Sequence, residues 1–205
     1  MRRAMALFFV FAFFIAPAVL PVEGAHGALL EGLVRTTAGK PASRVRITIW
    51  DGRTRYTAVT DGDGRFSVQG ISPGVVFALR LSPTAFSSVR VDGFRFPERG
   101  NLHISMEFGE VNRGERYTSG IPSNPSTGYS WSLLDPGDER VVRFREASTE
   151  QLPETPGGAV GRGVRELWTF DAAGRGRSSV VLGYRRPWES DVSPLRYHVI
   201  ALIVR

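Results

Sequence analysis

Arg44-Val45-Arg46-Ile47-Thr48-Ile49 alternates polar and apolar residues without interruption. Successive side chains of an extended strand point to opposite faces, so this period puts Val45, Ile47 and Ile49 on one buried face. The same alternation returns in Arg65-Phe66-Ser67-Val68 and in Phe77-Ala78-Leu79-Arg80-Leu81. Between these runs lie Ala38-Gly39-Lys40-Pro41, Asp61-Gly62-Asp63-Gly64 and Ser72-Pro73-Gly74, whose residue types form tight turns. Short strands separated by such turns predict a β-sandwich. No segment carries a convincing amphipathic helical pattern.

Further along, strands are expected over Val141 to Phe144, Glu166 to Phe170, Ser179 to Tyr184 and Tyr197 to Val204. The last is nearly continuous in apolar residues, the pattern of a central strand covered on both faces. Ser148 to Arg162, rich in Pro and Gly, reads as the longest irregular stretch. A new unit begins near Gly109, and no repeat relates the two halves. The chain therefore divides into a segment over 1–27, a domain over 28–108 and a domain over 109–205.

The first segment has the order of a secretory signal. Arg2 and Arg3 precede the apolar run Met5 to Ile15, Pro17 breaks it, and small residues follow up to Ala28. The alternative is an uncleaved membrane anchor, for which the run is short against a bilayer span of about 20 residues. The expectation is an exported protein, periplasmic or secreted, with no stable membrane insertion once the signal is cleaved. Cysteine is absent from all 205 residues, so no disulfide or thiol nucleophile exists and packing must supply stability. The net charge is +6 and Lys40 is the single lysine. Such a charge suits an anionic partner, but the arginines are scattered along the sequence, which reads as solvated strand faces and argues against nucleic acid.

Two motifs imitate catalytic ones. Gly70-Ile71-Ser72-Pro73-Gly74 has the G-x-S-x-G spacing of a hydrolase elbow. The residue after the serine must offer a backbone N–H to an oxyanion, and Pro73 has none. Asp61-Gly62-Asp63-Gly64 resembles the start of a calcium loop, but the later ligand positions hold Arg65 and Ser72, so a hairpin turn is expected. The histidines, His26, His103 and His198, lack zinc-ligand spacing.

Three stretches of the second half remain: Asn124-Pro125-Ser126-Thr127-Gly128-Tyr129-Ser130-Trp131, then Gly161-Arg162-Gly163, then Arg186-Pro187-Trp188. Pro125 fixes φ and Gly128 permits a turn that other residues resist. Gly161 and Gly163 allow close approach of a partner's backbone. Trp188 and Arg186 are residue types enriched at binding hot spots. In order and spacing these stretches resemble the loops of the chagasin family of cysteine-peptidase inhibitors, in which an N-P-T-T-G loop, a G-x-G loop and an R-P-W loop follow one another. The resemblance covers about the last 95 residues. Ser126 departs from it, keeping the hydroxyl and losing a methyl.

The resemblance implies an immunoglobulin-like sandwich with three loops at one end. It implies reversible inhibition of a papain-like cysteine peptidase, with the first loop approaching the catalytic cysteine and the others flanking it. The peptidase-binding residues would be Asn124, Pro125, Ser126, Thr127 and Gly128, then Gly161, Arg162 and Gly163, then Arg186, Pro187 and Trp188. It implies an inhibitor and not an enzyme; no metal or cofactor is needed, and with no clear oligomer signal in the sequence a monomer is expected. Leu33-Val34, Gly39-Lys40-Pro41-Ala42, Thr60-Asp61 and Gly64 to Val68 resemble carboxypeptidase regulatory-like domains, which implies a transthyretin-like sandwich for the first half. The expected fold is thus all-β, two tandem β-sandwiches. A non-inhibitory envelope or surface-binding protein that reuses both sandwiches is the rival reading. Burial of Trp188 would favour it.

Overall fold

The computed structural model describes residues 28–83, 88–151, 164–189 and 191–205. The signal segment lies outside them, as do Gly161, Arg162 and Gly163. Among the described residues the chain forms thirteen strands and one short 3-10 turn, Pro125–Thr127. The first seven strands are β1 Ala28–Thr36, β2 Arg46–Trp50, β3 Arg55–Val59, β4 Arg65–Ile71, β5 Val76–Ser82, β6 Val89–Arg95 and β7 Leu102–Val111. Then come β8 Arg116–Ser123, β9 Ser130–Asp135, β10 Val142–Gln151, β11 Val164–Ala172, β12 Gly176–Arg185 and β13 Arg196–Val204.

The alternating runs became β2, β4 and β5, and their apolar residues are buried: Val45, Ile47, Ile49, Phe66, Val68, Phe77, Leu79 and Leu81. The turns behave as their residues require. Asp61 accepts the N–H groups of Asp63 and Arg65 on its Oδ1 at 2.9 and 2.8 Å. Gly64 has φ 76°, and a Cβ there would stand 2.3 Å from the Val34 carbonyl oxygen, so only glycine fits. Ser72-Pro73-Gly74 turns β4 into β5 with Gly74 at φ 73°; a strand, not a helix, follows the serine.

Six strands form one sheet in the order β4-β1-β7-β13-β12-β9. β1 and β13 both run parallel to β7, and the other neighbours are antiparallel. A four-stranded sheet, β3-β2-β5-β6, packs on one face, and a three-stranded sheet, β10-β11-β8, on the other. The all-β sandwich architecture is as expected, with one refinement. The two sandwiches share their middle layer instead of following one another as separate bodies. Residue 108 lies inside β7, a strand in the middle of that layer.

The physical reason lies in β13. Every residue from Tyr197 to Val204 is buried. Tyr197, Val199 and Ala201 enter the core under the four-stranded sheet, whereas Ile200, Leu202 and Val204 enter the core under the three-stranded sheet. Burying one such aliphatic side chain contributes about 1.5–3 kcal/mol, so leaving either face open to water would be costly.

One expectation needs correction. β10 runs on through Gln151, so Ser148 to Gln151 are strand and not irregular. Its residues from Arg145 onward are exposed, and nothing in their order reports a buried face.

Candidate functional site: two loops at one end of the second sandwich

Asn124 to Gly128 connect β8 to β9. Pro125 opens the 3-10 turn, where its missing N–H is no loss. Gly128 closes it at φ 77°, in the left-handed region. The loop's polar groups bond inward. Ser126 Oγ donates to Asn124 Oδ1 at 2.6 Å, and Thr127 Oγ1 donates to the Asn124 carbonyl at 2.7 Å. The N–H of Thr127 donates to that carbonyl at 3.2 Å, and the N–H of Gly128 to the Pro125 carbonyl at 2.9 Å. Residues 124–127 are exposed all the same. The loop is thus both stiff and open, and a stiff loop loses little entropy when a partner covers it.

Arg186, Pro187 and Trp188 form a turn after β12, closed by the Glu189 N–H donating to the Arg186 carbonyl at 3.0 Å. Pro187 occupies the position whose φ the turn presets. Arg186 pairs with Glu189 at 3.0 Å, and its guanidinium lies 4.8 Å from the centroid of the Tyr129 ring. Trp188 is 70% exposed. Its ring lies over the first loop: a Cβ built on Gly128 would come 3.1 Å from Trp188 Cη2.

Strand register brings the two loops together. Arg185, the last residue of β12, pairs with Ser130, the first of β9. Tyr184 completes the joint. Its hydroxyl accepts the Asn124 N–H at 3.1 Å, and its ring stacks on Tyr129 at 5.6 Å between centroids. Trp131, buried behind them, donates its indole N–H to the Pro122 carbonyl at 3.1 Å. The structure therefore unites Asn124–Gly128 with Arg186–Trp188. Gly161, Arg162 and Gly163 lie outside the described residues; the next residue, Val164, pairs with Ser123 beside Asn124. Sequence reasoning missed Tyr184, Tyr129 and Glu189 as supports. A tyrosine ending a strand just before a loop was the one available signal.

Behind the loops, the second core holds a buried polar cluster. His198 Nδ1 is 2.7 Å from Ser105 Oγ, and Nε2 is 3.0 Å from Ser119 Oγ and 3.7 Å from Glu107 Oε2. Tyr117 donates its hydroxyl to Glu107 at 2.5 Å. Burial pushes the Glu107 carboxyl up, but the hydrogen bond and charge of His198, helped by Tyr117 and Ser119, outweigh it and hold its pKa below the ordinary value. Burial beside that carboxylate raises the Tyr117 phenol strongly. A serine, a histidine and a carboxylate together invite a catalytic reading. Ser119, which would have to be the nucleophile, is only 1% exposed, so its hydroxyl is closed to a substrate. The cluster instead ties β8 to β7 and β13 across the two sheets.

A sandwich that displays a stiff polar loop beside an exposed, proline-fixed tryptophan has the form of a protein that binds other proteins. Residues 110–201 match the chagasin family peptidase inhibitor I42. Amoebiasin-2 of Entamoeba histolytica is 33% identical over 109 residues, 53% of this chain and 80% of that relative. This chain belongs to the chagasin family of peptidase inhibitors, whose members inhibit cysteine proteases and are not enzymes. Among solved structures, the cysteine protease inhibitor EhICP2 of Entamoeba histolytica is similar at a TM-score of 0.42 and 24% identity, over 51% of this chain and 96% of that one. PbICP-C, solved in complex with falcipain-2, is similar at a TM-score of 0.35 and 18% identity, over 52% of this chain and 96% of that one.

Proposed function

We propose that this protein is exported to the periplasm or secreted, and that it acts there as a monomeric, reversible inhibitor of papain-like cysteine peptidases. Asn124 to Gly128 enter the active-site cleft, while Gly161 to Gly163 and Arg186 to Trp188 flank it. The observation that supports this most is the position of Trp188. It is a large aromatic side chain held 70% exposed against Gly128, at the open end of a sandwich whose core aromatics are buried or half-buried. Thr127 and Ser126 bring hydroxyls without a base to activate them, so the loop can sit against a catalytic cysteine without being turned over. The first half, by its resemblance to carboxypeptidase regulatory-like domains, serves as an accessory module.

The test is a titration of active-site-calibrated papain with the purified protein, using a fluorogenic substrate. Tight inhibition that is reversed on dilution and weakened by W188A and T127A is expected. A folded protein that inhibits neither papain nor any member of a cathepsin panel overturns the reading and favours the surface-binding rival.

A further inference from the structure

Scattered in sequence, four arginines meet on one surface in the fold. Outward residues of the four-stranded sheet alternate with its buried ones, so Arg46 and Trp50 of β2 share a face with Arg55 of β3, Arg80 of β5 and Arg90 of β6. The register sharpens this. Thr48 stands opposite both Thr57 and Arg80, Arg80 opposite Arg90, and Trp50 opposite both Arg55 and Ala78. Opposed side chains on a sheet are about 5 Å apart at Cβ, so Arg80 stands beside Arg90 and diagonal to Arg46, while Arg55 stands beside Trp50. Arg46, Arg55, Trp50, Arg80 and Arg90 line a shallow trough of about 400 Å³. Asp92 is the one acid on this face of the four strands, and it is bound to Arg90 at 2.8 Å. Arg46, Arg55 and Arg80 make no ion pair among the described residues.

We propose that this face is a binding site for an anionic polysaccharide. Guanidiniums grip carboxylate or sulfate groups with paired hydrogen bonds, and Trp50, 41% exposed, offers a flat apolar surface for the C–H face of a sugar ring. Other polyanions fit less well. A flat sheet face does not enter a duplex groove, which admits a helix or a narrow ribbon. Single-stranded nucleic acid is held on successive aromatic platforms, and this trough has one. A lipid surface needs a continuous apolar ridge to insert, whereas here Val76 alone lies near Trp50, diagonal to it past Ala78, and the exposed Val59 stands at the other end of the face opposite Arg46. The face is turned away from the three-stranded sheet, so it leaves the two loops free.

Calorimetric titration of the full chain with a heparin-derived hexasaccharide and with a galacturonate oligomer tests this. Binding of at least one glycan is expected, weakening as salt rises. R46A/R80A is expected to weaken it about tenfold or more, since two charge-assisted contacts are lost. R99A/R143A, which removes the same charge from exposed positions elsewhere, should change it by about twofold or less. W50A should weaken binding with little change in its salt dependence. Three outcomes overturn the proposal: no binding to either glycan, an equal loss in R99A/R143A, or tighter binding of a thymidine oligonucleotide or of phosphatidylglycerol vesicles at the same salt. Peptidase inhibition is not read in any arm, so the result is independent of the inhibitory role.

Discussion

Tyr197, Val199 and Ala201 leave one face of β13 for a core of aromatic and aliphatic side chains, whereas His198 on the other face meets Ser105, Ser119 and Glu107. On the first side Phe77 stacks on Phe94 at 5.4 Å, and Phe94 meets the edge of Tyr197 at 5.0 Å. Apolar packing of this kind is strong and nearly indifferent to direction. On the second side, hydrogen bonds of fixed geometry hold β8 over β7 and β13. β8 runs straight into Asn124, so the polar cluster sets where the first loop emerges. One core supplies stability; the other supplies stability and aim.

The largest expected effect is on the first side. Phe94→Ala should cost about 3–5 kcal/mol, read as a fall in the denaturation midpoint. Because the cores share one sheet, the near-ultraviolet signal of Trp131 and Trp168 should vanish in the same transition. A second, later transition for those tryptophans would break the comparison and make the sandwiches independent. Next comes Trp188→Ala, expected to weaken peptidase inhibition by about 2–4 kcal/mol while leaving the unfolding midpoint in place, since the side chain is 70% exposed.

Glu107→Gln should cost about 1–3 kcal/mol and alter the acid limb of stability. The sign follows from linkage. Glu107 has a folded pKa below its ordinary value of 4.5, so its contribution is complete above that pH and is lost as pH falls towards the folded value. Urea midpoints at falling pH should therefore drop more steeply for the natural protein than for E107Q; parallel curves would deny the cluster its charge. The smallest effect is expected at Gly128→Ala, about 1 kcal/mol of stability from the positive φ. Its new methyl also crowds Trp188, so inhibition should weaken more than stability does.

The sequence made some strands visible. Val45 to Ile49 showed one by alternation, and Tyr197 to Val204 another by the lack of any. β1, β3, β6 and β7 were not read from it, although Leu102 to Phe108 alternates in the same way as Val45 to Ile49. Nor did the sequence reveal that covering both sides of β13 would merge two sandwiches, because the partners of a strand are set by pairing and not by its own pattern. β8, with Gly120 and Pro122, and the exposed end of β10 carry no periodic signal at all. The loop motifs were legible as motifs. Their meeting was not, since it depends on Arg185 pairing with Ser130 across 55 positions of chain. The same holds for His198, whose partners come from β7 and β8, and for the arginine face, which exists only once four strands are in register.

β7 passes through the place where a linker would be expected, and it does so with a strand hydrogen-bonded on either side. An inhibitor works within reach of proteolytic enzymes, and such enzymes cut extended chain that can be drawn out into a cleft. A joint buried in mid-sheet cannot be drawn out without undoing both cores. The protein thus has no soft waist between its halves, and a cut there would require nearly the whole molecule to unfold first.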